Sequence, residues 1–186
     1  KPSPFMISQE IFFDFIPVNT YVTAGVWRII LEPRRLTDGN VDLWLPSAGT
    51  LNPATRFYRP TADNTLTVPS SAGKVIAVGA YDSRSQIYAP FSGRGYALEK
   101  SPLLSIPQVK PDLAAPGVDV QTAAVGGGYT SVTGTSFAAP FVSGGAALLM
   151  EWGIVNGNDP YLYGEKIRAY LQRGAQKLPG YRQWPN

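Results

Sequence analysis

Gly134-Thr135-Ser136-Phe137-Ala138-Ala139-Pro140 is the stretch that decides how this chain folds and what chemistry it can carry. A serine among small residues stands where a helix is expected to begin. The first N–H groups of a helix have no intrahelical partner, and the macrodipole places partial positive charge there. A hydroxyl at that spot can attack a carbonyl, and the oxyanion that forms meets backbone donors. Gly134 lets another backbone come close. Pro140 falls in or just after the first turn, where a missing N–H costs least. Read by itself, the stretch also describes an ordinary capped helix in a core.

The segments around it set an α/β context. Ser136 to Trp152 reads as a helix, and its Gly144, Gly145, Ala146 and Ala147 invite close packing at up to ~1 kcal/mol of propensity per Gly. Val75-Ile76-Ala77-Val78-Gly79-Ala80 is a continuous apolar run that suits a central parallel strand buried on both faces. A second such strand is expected near Val118-Asp119-Val120. Between them, residues 81–110 are loop-like, with Phe91-Ser92-Gly93-Arg94-Gly95 the most turn-prone part. Gly126-Gly127-Gly128-Tyr129 reads as a surface hairpin, since no Lys-Ser/Thr follows to make a phosphate cradle. Asn158-Asp159-Pro160 has the form of a helix start, with a cap and then Pro at the first position. Tyr163, Ile167, Tyr170 and Leu171 share one face of that helix, and Gly174 stops it.

Residues 1–68 read as β. In Val26 to Glu32, Trp27, Ile29 and Leu31 alternate with Arg28, Ile30 and Glu32, which buries Trp27 on one face. Thr37-Asp38-Gly39-Asn40 reverses the chain, and Val41 to Leu45 returns. The alternate Asp38, Asn40 and Asp42 read as a solvated turn, because no distal Glu stands at calcium-loop spacing.

Composition narrows the chemistry. The 186 residues include no His and no Cys, so zinc fingers, thiol catalysis, disulfides and an imidazole base are excluded within the chain. Net charge is +3 with scattered basic residues, so no nucleic-acid footprint is expected. The long uncharged stretch from Val120 to Met150 holds Gly, Ser, Thr and Pro140, and reads as a packed interior; no membrane partner is expected.

Residues 134–140 resemble the serine motif of the subtilisin-like (subtilase) proteases, peptidase family S8. Val75 to Ala80, Phe91-Ser92 and Lys110-Pro111-Asp112-Leu113-Ala114-Ala115-Pro116-Gly117-Val118 resemble the family's buried strand, its Phe-Ser turn and its Lys-Pro-Asp-x-x-Ala-Pro-Gly stretch, in the same order. Trp152-Gly153-Ile154-Val155, Asn158 to Gly164 and Arg173-Gly174-Ala175 are similar to the Csp-type clostridial subtilases. Those act in spore germination, on the proform of a cortex hydrolase, and carry an inserted β jelly roll. Gly25 to Ile29, Asp38-Gly39 and Asp42 to Pro46 look like later strands of that insert.

The resemblance implies the C-terminal portion of a subtilisin-like parallel-sheet fold (residues 69–186) joined to part of a jelly-roll insert (residues 1–68). It makes Ser136 the nucleophile, with Gly134 and Thr135 as oxyanion support. The Thr135 hydroxyl either assists the oxyanion or caps the helix, and capping is the preferred reading. Thr67 is placed near the substrate's P1 pocket, and the following Val68–Pro69 bond is a candidate for the cis form, with trans the commoner alternative. Asp112 is read as structural, because the family's catalytic Asp lies upstream.

The family's order is Asp, His, oxyanion Asn, then Ser. The chain reads as beginning inside the insert, so it lacks the first three and is expected to be inactive alone. Its implied partners are a protein or peptide substrate and the missing N-terminal half, with self-association through exposed apolar surface. No cofactor or metal is implied. The resemblance implies a spore-associated or extracytoplasmic location in a clostridium-like bacterium. Two rivals remain at this point: a pseudoprotease or regulatory module in germination, and a β-type carbohydrate- or protein-binding module built on residues 1–68, using Trp27, Trp44 and Tyr58.

Overall fold

The structure, a computed structural model, describes residues 11–35, 39, 41–46, 51–96 and 108–179. The chain divides into two units, Lys1–Val41 and Asp42–Asn186.

Among the described residues of the first unit there is no helix or strand. The Phe15 and Trp27 rings meet edge to face at 5.1 Å, and Trp27 Nε1 donates to the Thr23 carbonyl at 3.2 Å. The strand expected over Val26–Glu32 does not form. Its alternation survives only as a gradient: Trp27, Ile29 and Leu31 are less exposed than Val26 and Ile30. Trp27, expected buried, is 59% exposed. An extended segment becomes a strand only when a neighbour satisfies its N–H and C=O groups, and no described residue pairs with it. The return strand Val41–Leu45 is likewise absent, and most of the turn at 37–40 lies outside the described residues.

The second unit carries every described element. These are β1 (Val78–Asp82), β2 (Ile87–Tyr88), β3 (Gly95–Tyr96), β4 (Val109–Lys110), β5 (Leu113–Pro116), β6 (Val120–Ala123) and β7 (Tyr129–Val132), then α1 (Thr135–Met150), a π-helical turn (Glu151–Val155) and α2 (Gly164–Gly174). The main sheet runs β2-β1-β5. β1 and β5 are parallel, with register from Val78 opposite Leu113 to Tyr81 opposite Pro116. β2 pairs antiparallel with the end of β1. β3–β4 and β6–β7 are separate antiparallel pairs. The expected α/β core with a parallel strand pair is present.

The strand boundaries moved for identifiable reasons. β1 begins three residues later than the apolar run because side chains replace a strand partner at its start. Lys110 Nζ donates to the Val75 carbonyl at 2.6 Å, and Ala77 N–H donates to Asp112 Oδ2 at 2.7 Å. The second parallel strand is Leu113–Pro116, not the segment near Val118. Asp119, at φ 50, turns the chain there, and Val120 opens the β6–β7 hairpin. Gly126, Gly127 and Gly128 all have positive φ at its tip, as a tight reversal requires.

The second helix also starts later. Asn158 donates to the Trp152 carbonyl at 2.8 Å, and the Asp159 carboxylate takes the Lys166 ammonium at 2.8 and 2.9 Å. Neither side chain caps a first turn, and α2 begins at Gly164 behind Tyr163. It ends at Gly174 as expected. Ile167 is buried and Leu171 packs on the core.

The core is Ala80, Ala89, Leu113, Ala115, Ala138 and Val142. α1 packs on β1 and β5, and the alanines reflect how closely it lies to them. Gly117 marks the tightest point. A Cβ there would lie 2.6 Å from Ala80 Cβ, 3.0 Å from the Gly134 carbonyl oxygen and 3.3 Å from Ala138 Cβ.

Candidate active site

Two backbone bonds place the start of α1. Gly117 N–H donates to the Tyr81 carbonyl at 3.0 Å, and Gly134 N–H donates to the Gly117 carbonyl at 2.8 Å. Gly117 directly follows β5, and Tyr81 lies near the end of β1. The first turn of α1 is therefore tied to the C-terminal ends of the parallel pair, where open α/β sheets present their ligand sites. Gly134 holds φ 156 and ψ 159, a conformation that essentially only glycine adopts. It is the N-cap residue.

Ser136 is the second residue of α1 and is exposed. Thr135 is half-buried. Its expected capping bond is not made: no side chain caps α1. Phe137 N–H donates to the Gly134 carbonyl at 3.1 Å across the first turn. The positive end of the dipole is thus left open beside the Ser136 hydroxyl. Pro140 is the sixth residue of the helix, in its second turn. Its missing N–H would have bonded the Ser136 carbonyl.

Among the described residues no acid or base is bonded to this hydroxyl. α1 contains no charged residue, the chain contains no His, and among the described residues no ionisable side chain hydrogen-bonds Ser136. The site can stabilise negative charge at the helix start. Among the described residues no side chain that could take its proton is bonded to it.

Thr67 is exposed, and its carbonyl accepts from Ser70 Oγ. The Val68–Pro69 bond takes the cis form, the less common of the two alternatives. Among the described residues no hydrogen bond joins Thr67 to residues 134–140, so the structure does not bring those two parts of the expected site together by direct bonding.

Asp112 is a hub of the scaffold, which matches its structural reading. It is 1% exposed and Lys110 is 0% exposed. The two pair at 2.7 Å. Arg168 reaches Asp112 Oδ1 at 3.8 Å while donating to the Gly73 carbonyl at 2.7 Å. Gln172 donates to the Asp112 carbonyl at 3.2 Å. Asp112 N–H returns a bond to the Ala77 carbonyl at 2.9 Å. Ser92 ties β1 in the same way, accepting from Ala80 N–H at 2.9 Å and donating to Tyr88 Oη at 2.8 Å. Sequence reasoning did not find Arg168, Gln172, the cis Lys110–Pro111 bond or the close packing at Gly117. Residues that act across 60 positions leave no local pattern.

The sequence model of the Subtilase family matches residues 38–186. The chain is a subtilase. Subtilisin DY of Bacillus licheniformis is 39% identical over 117 residues, 63% of this chain and 35% of its own length. A thermophilic serine proteinase of Bacillus sp. strain AK1 is 35% identical over 112 residues, 60% of this chain and 22% of its own. In structure, the Clostridium perfringens CspB protease matches 71% of this chain and 27% of its own, with 43% identity and a TM-score of 0.62. This subtilase chain therefore spans about a third or less of the length of these relatives. The rings of Trp27, Trp44 and Tyr58 are exposed, as the rival binding-module reading needs, but Phe12, Val18 and Val26 are exposed too, so exposure does not single these rings out.

Proposed function

We propose that this chain supplies the nucleophile of a subtilisin-like serine endopeptidase. The observation that carries the reading is the exposed Ser136 at the uncapped start of α1, at the C-terminal ends of β1 and β5. The Ser136 Oγ–carbon bond forms on the substrate's peptide carbonyl as the hydroxyl proton passes to a histidine. The oxyanion is held by the Ser136 N–H and a second donor. The C–N bond then breaks, the amine takes that proton, and water releases the acyl group from Ser136. The histidine, its aspartate partner and the second donor come from the part of the subtilase domain that this chain does not contain.

The same reading makes residues 1–68 a piece of an inserted β domain whose ladders need strands from elsewhere, and Thr67 a contributor to the P1 pocket. A spore-associated setting, on a germination substrate, follows from the resemblance to the Csp-type enzymes.

The test is labelling with a serine-reactive fluorophosphonate and turnover of a peptide substrate. The chain alone is expected to show neither above the Ser136→Ala background. Combined with the N-terminal portion of a subtilase it is expected to gain both. Ser136→Ala then lowers turnover by about 10⁶-fold, the loss known for the same step in subtilisin itself. Ser136-dependent turnover by the unaccompanied chain would overturn the reading.

A further inference from the structure

We propose that Arg168, on α2, is a positioning residue for the substrate pocket: it clamps the span of chain that carries Thr67 and so tunes the choice of P1 side chain. This rests on the reading of Thr67 as part of the P1 pocket.

Residues 65–77 form no strand, yet both ends of the segment are held. At the near end, Thr65 N–H donates to the Arg94 carbonyl at 2.9 Å, and Arg94 N–H donates to Thr65 Oγ1 at 3.1 Å. At the far end three side chains stand where a strand partner would. Arg168 Nη1 donates to the Gly73 carbonyl at 2.7 Å, and Lys110 Nζ donates to the Val75 carbonyl at 2.6 Å. Asp112 Oδ2 accepts from Ala77 N–H at 2.7 Å. Between the anchors the bonds are local: Ser70 Oγ donates to the Thr67 carbonyl, and Ala72 N–H donates to the Pro69 carbonyl. Thr67 and Val68 are exposed, while Ser71 is buried. A wall built this way has no ladder of its own, so its position follows its anchors.

The far anchors differ in what else they hold. Lys110 and Asp112 are fully buried, pair with each other and support the start of β1. Arg168 comes from a helix 95 residues beyond Gly73. Its Nη1 also lies 3.8 Å from Asp112 Oδ1, with the side chain 19% exposed. A guanidinium fork can serve a carbonyl and a carboxylate together, and charge-assisted bonds of this kind fix geometry as well as adding energy. Gln172, one turn further along α2, donates to the Asp112 carbonyl at 3.2 Å. Of these two side chains, Arg168 is the one bonded to the span.

Loss of Arg168 therefore separates two roles. β1 keeps Lys110 and Asp112, and the near end of the span keeps Arg94. The stretch from Thr67 to Gly73 loses its outer clamp and gains slack. A small displacement of a group that positions substrate carries a large consequence for rate, and a pocket whose wall gives way discriminates less between side chains of different size.

The experiment uses the full chain in two ways. Hydrogen exchange read by mass spectrometry compares wild type with Arg168→Met, Arg168→Lys and Gln172→Leu. In Arg168→Met the amides of residues 66–75 should exchange about 10-fold faster, while those of β1 and β5 keep their rates. Arg168→Lys, a point charge without the fork, should recover part of the protection. Gln172→Leu should leave the span as it is. The chain combined with the N-terminal portion of a subtilase is then assayed on peptides with phenylalanine or alanine at P1. Arg168→Met should move the ratio of the two kcat/KM values by about 10-fold, and so should Thr67→Phe, whereas Gln172→Leu should not. Three results overturn the positioning role: unchanged exchange across the span, faster exchange spread evenly over β1 and β5, or a ratio that Thr67→Phe shifts and Arg168→Met does not. If the span loosens but neither Thr67→Phe nor Arg168→Met moves the ratio, the clamp stands and the placement of Thr67 in the P1 pocket falls. A combination without turnover counts against the nucleophile reading instead, and the exchange rates then decide the clamp.

Discussion

Asp112 and Ser136 are two polar residues on the same small scaffold, treated in opposite ways. Asp112 is buried, and its carboxylate takes Lys110, the Ala77 N–H and, at longer range, Arg168 and Gln108. Ser136 is exposed, at a helix start that no side chain caps. The first residue finds all its partners within this unit. Among the described residues the second finds a dipole and no bonded group that takes a proton. The described residues thus satisfy the group that supports the strands and leave the hydroxyl at the helix start open. A residue that holds a fold together has to be satisfied where it stands, whereas a reacting group is left open to what it must meet.

The largest expected effect tests the buried side. Asp112→Ala leaves the Lys110 ammonium in the interior without its counter-ion, which costs ~3–5 kcal/mol of stability. The urea midpoint followed by circular dichroism should fall accordingly. Lys110→Met combined with Asp112→Asn should recover most of that loss, since the acceptor for Ala77 N–H is kept and no lone charge remains. A single variant that unfolds like wild type would erase the contrast with Ser136.

An intermediate effect is expected where the two sides meet. Gly117→Ala drives a Cβ toward Ala80 and the Gly134 carbonyl, and overpacking of this kind costs ~1–3 kcal/mol. Because the same contact positions Gly134, labelling of Ser136 in the complemented enzyme should fall further than the melting temperature suggests. Equal losses in both readouts would show that Gly117 is a packing residue and nothing more.

The smallest effect is expected at Asp159. The hydrogen bond from Lys166 holds its carboxyl below the ordinary value of 3.8, and the same bond raises Lys166 above 10.5. A lowered carboxylate adds stability above its ordinary value and loses it as the pH falls through the native one. A raised amine adds stability below its ordinary value and loses it as the pH rises through the native one. The contribution is therefore full between about pH 4 and pH 10. Asp159→Asn should lower the melting temperature slightly within that window and converge with wild type in acid. A gap that persists in acid would assign the effect to lost packing.

The reacting end of the fold was legible in the sequence because its signals are local. Gly134-Thr135-Ser136 with a helix behind it, the Gly126–Gly128 turn and the stop at Gly174 each need only neighbouring residues. What was missed depends on distance in the chain. Thr135 does not cap, because Gly134 takes the N-cap position and its own conformation sets the first turn. β1 starts late because Lys110 and Asp112, more than thirty residues on, occupy its first backbone groups. The alternation of Val26–Glu32 was real as a pattern. It made no strand because a strand is a property of two segments, and the partner is not among the described residues.

The bond between Gly134 and Gly117, with Asp119 N–H on Thr133 Oγ1 at 3.0 Å, has one more consequence. Residues 118–133 leave the sheet and come back to the point they left, so the hairpin hangs from the scaffold as a closed side branch. Its glycine tip can be lengthened, shortened or replaced by a foreign peptide without altering the path that carries the main chain from sheet to serine.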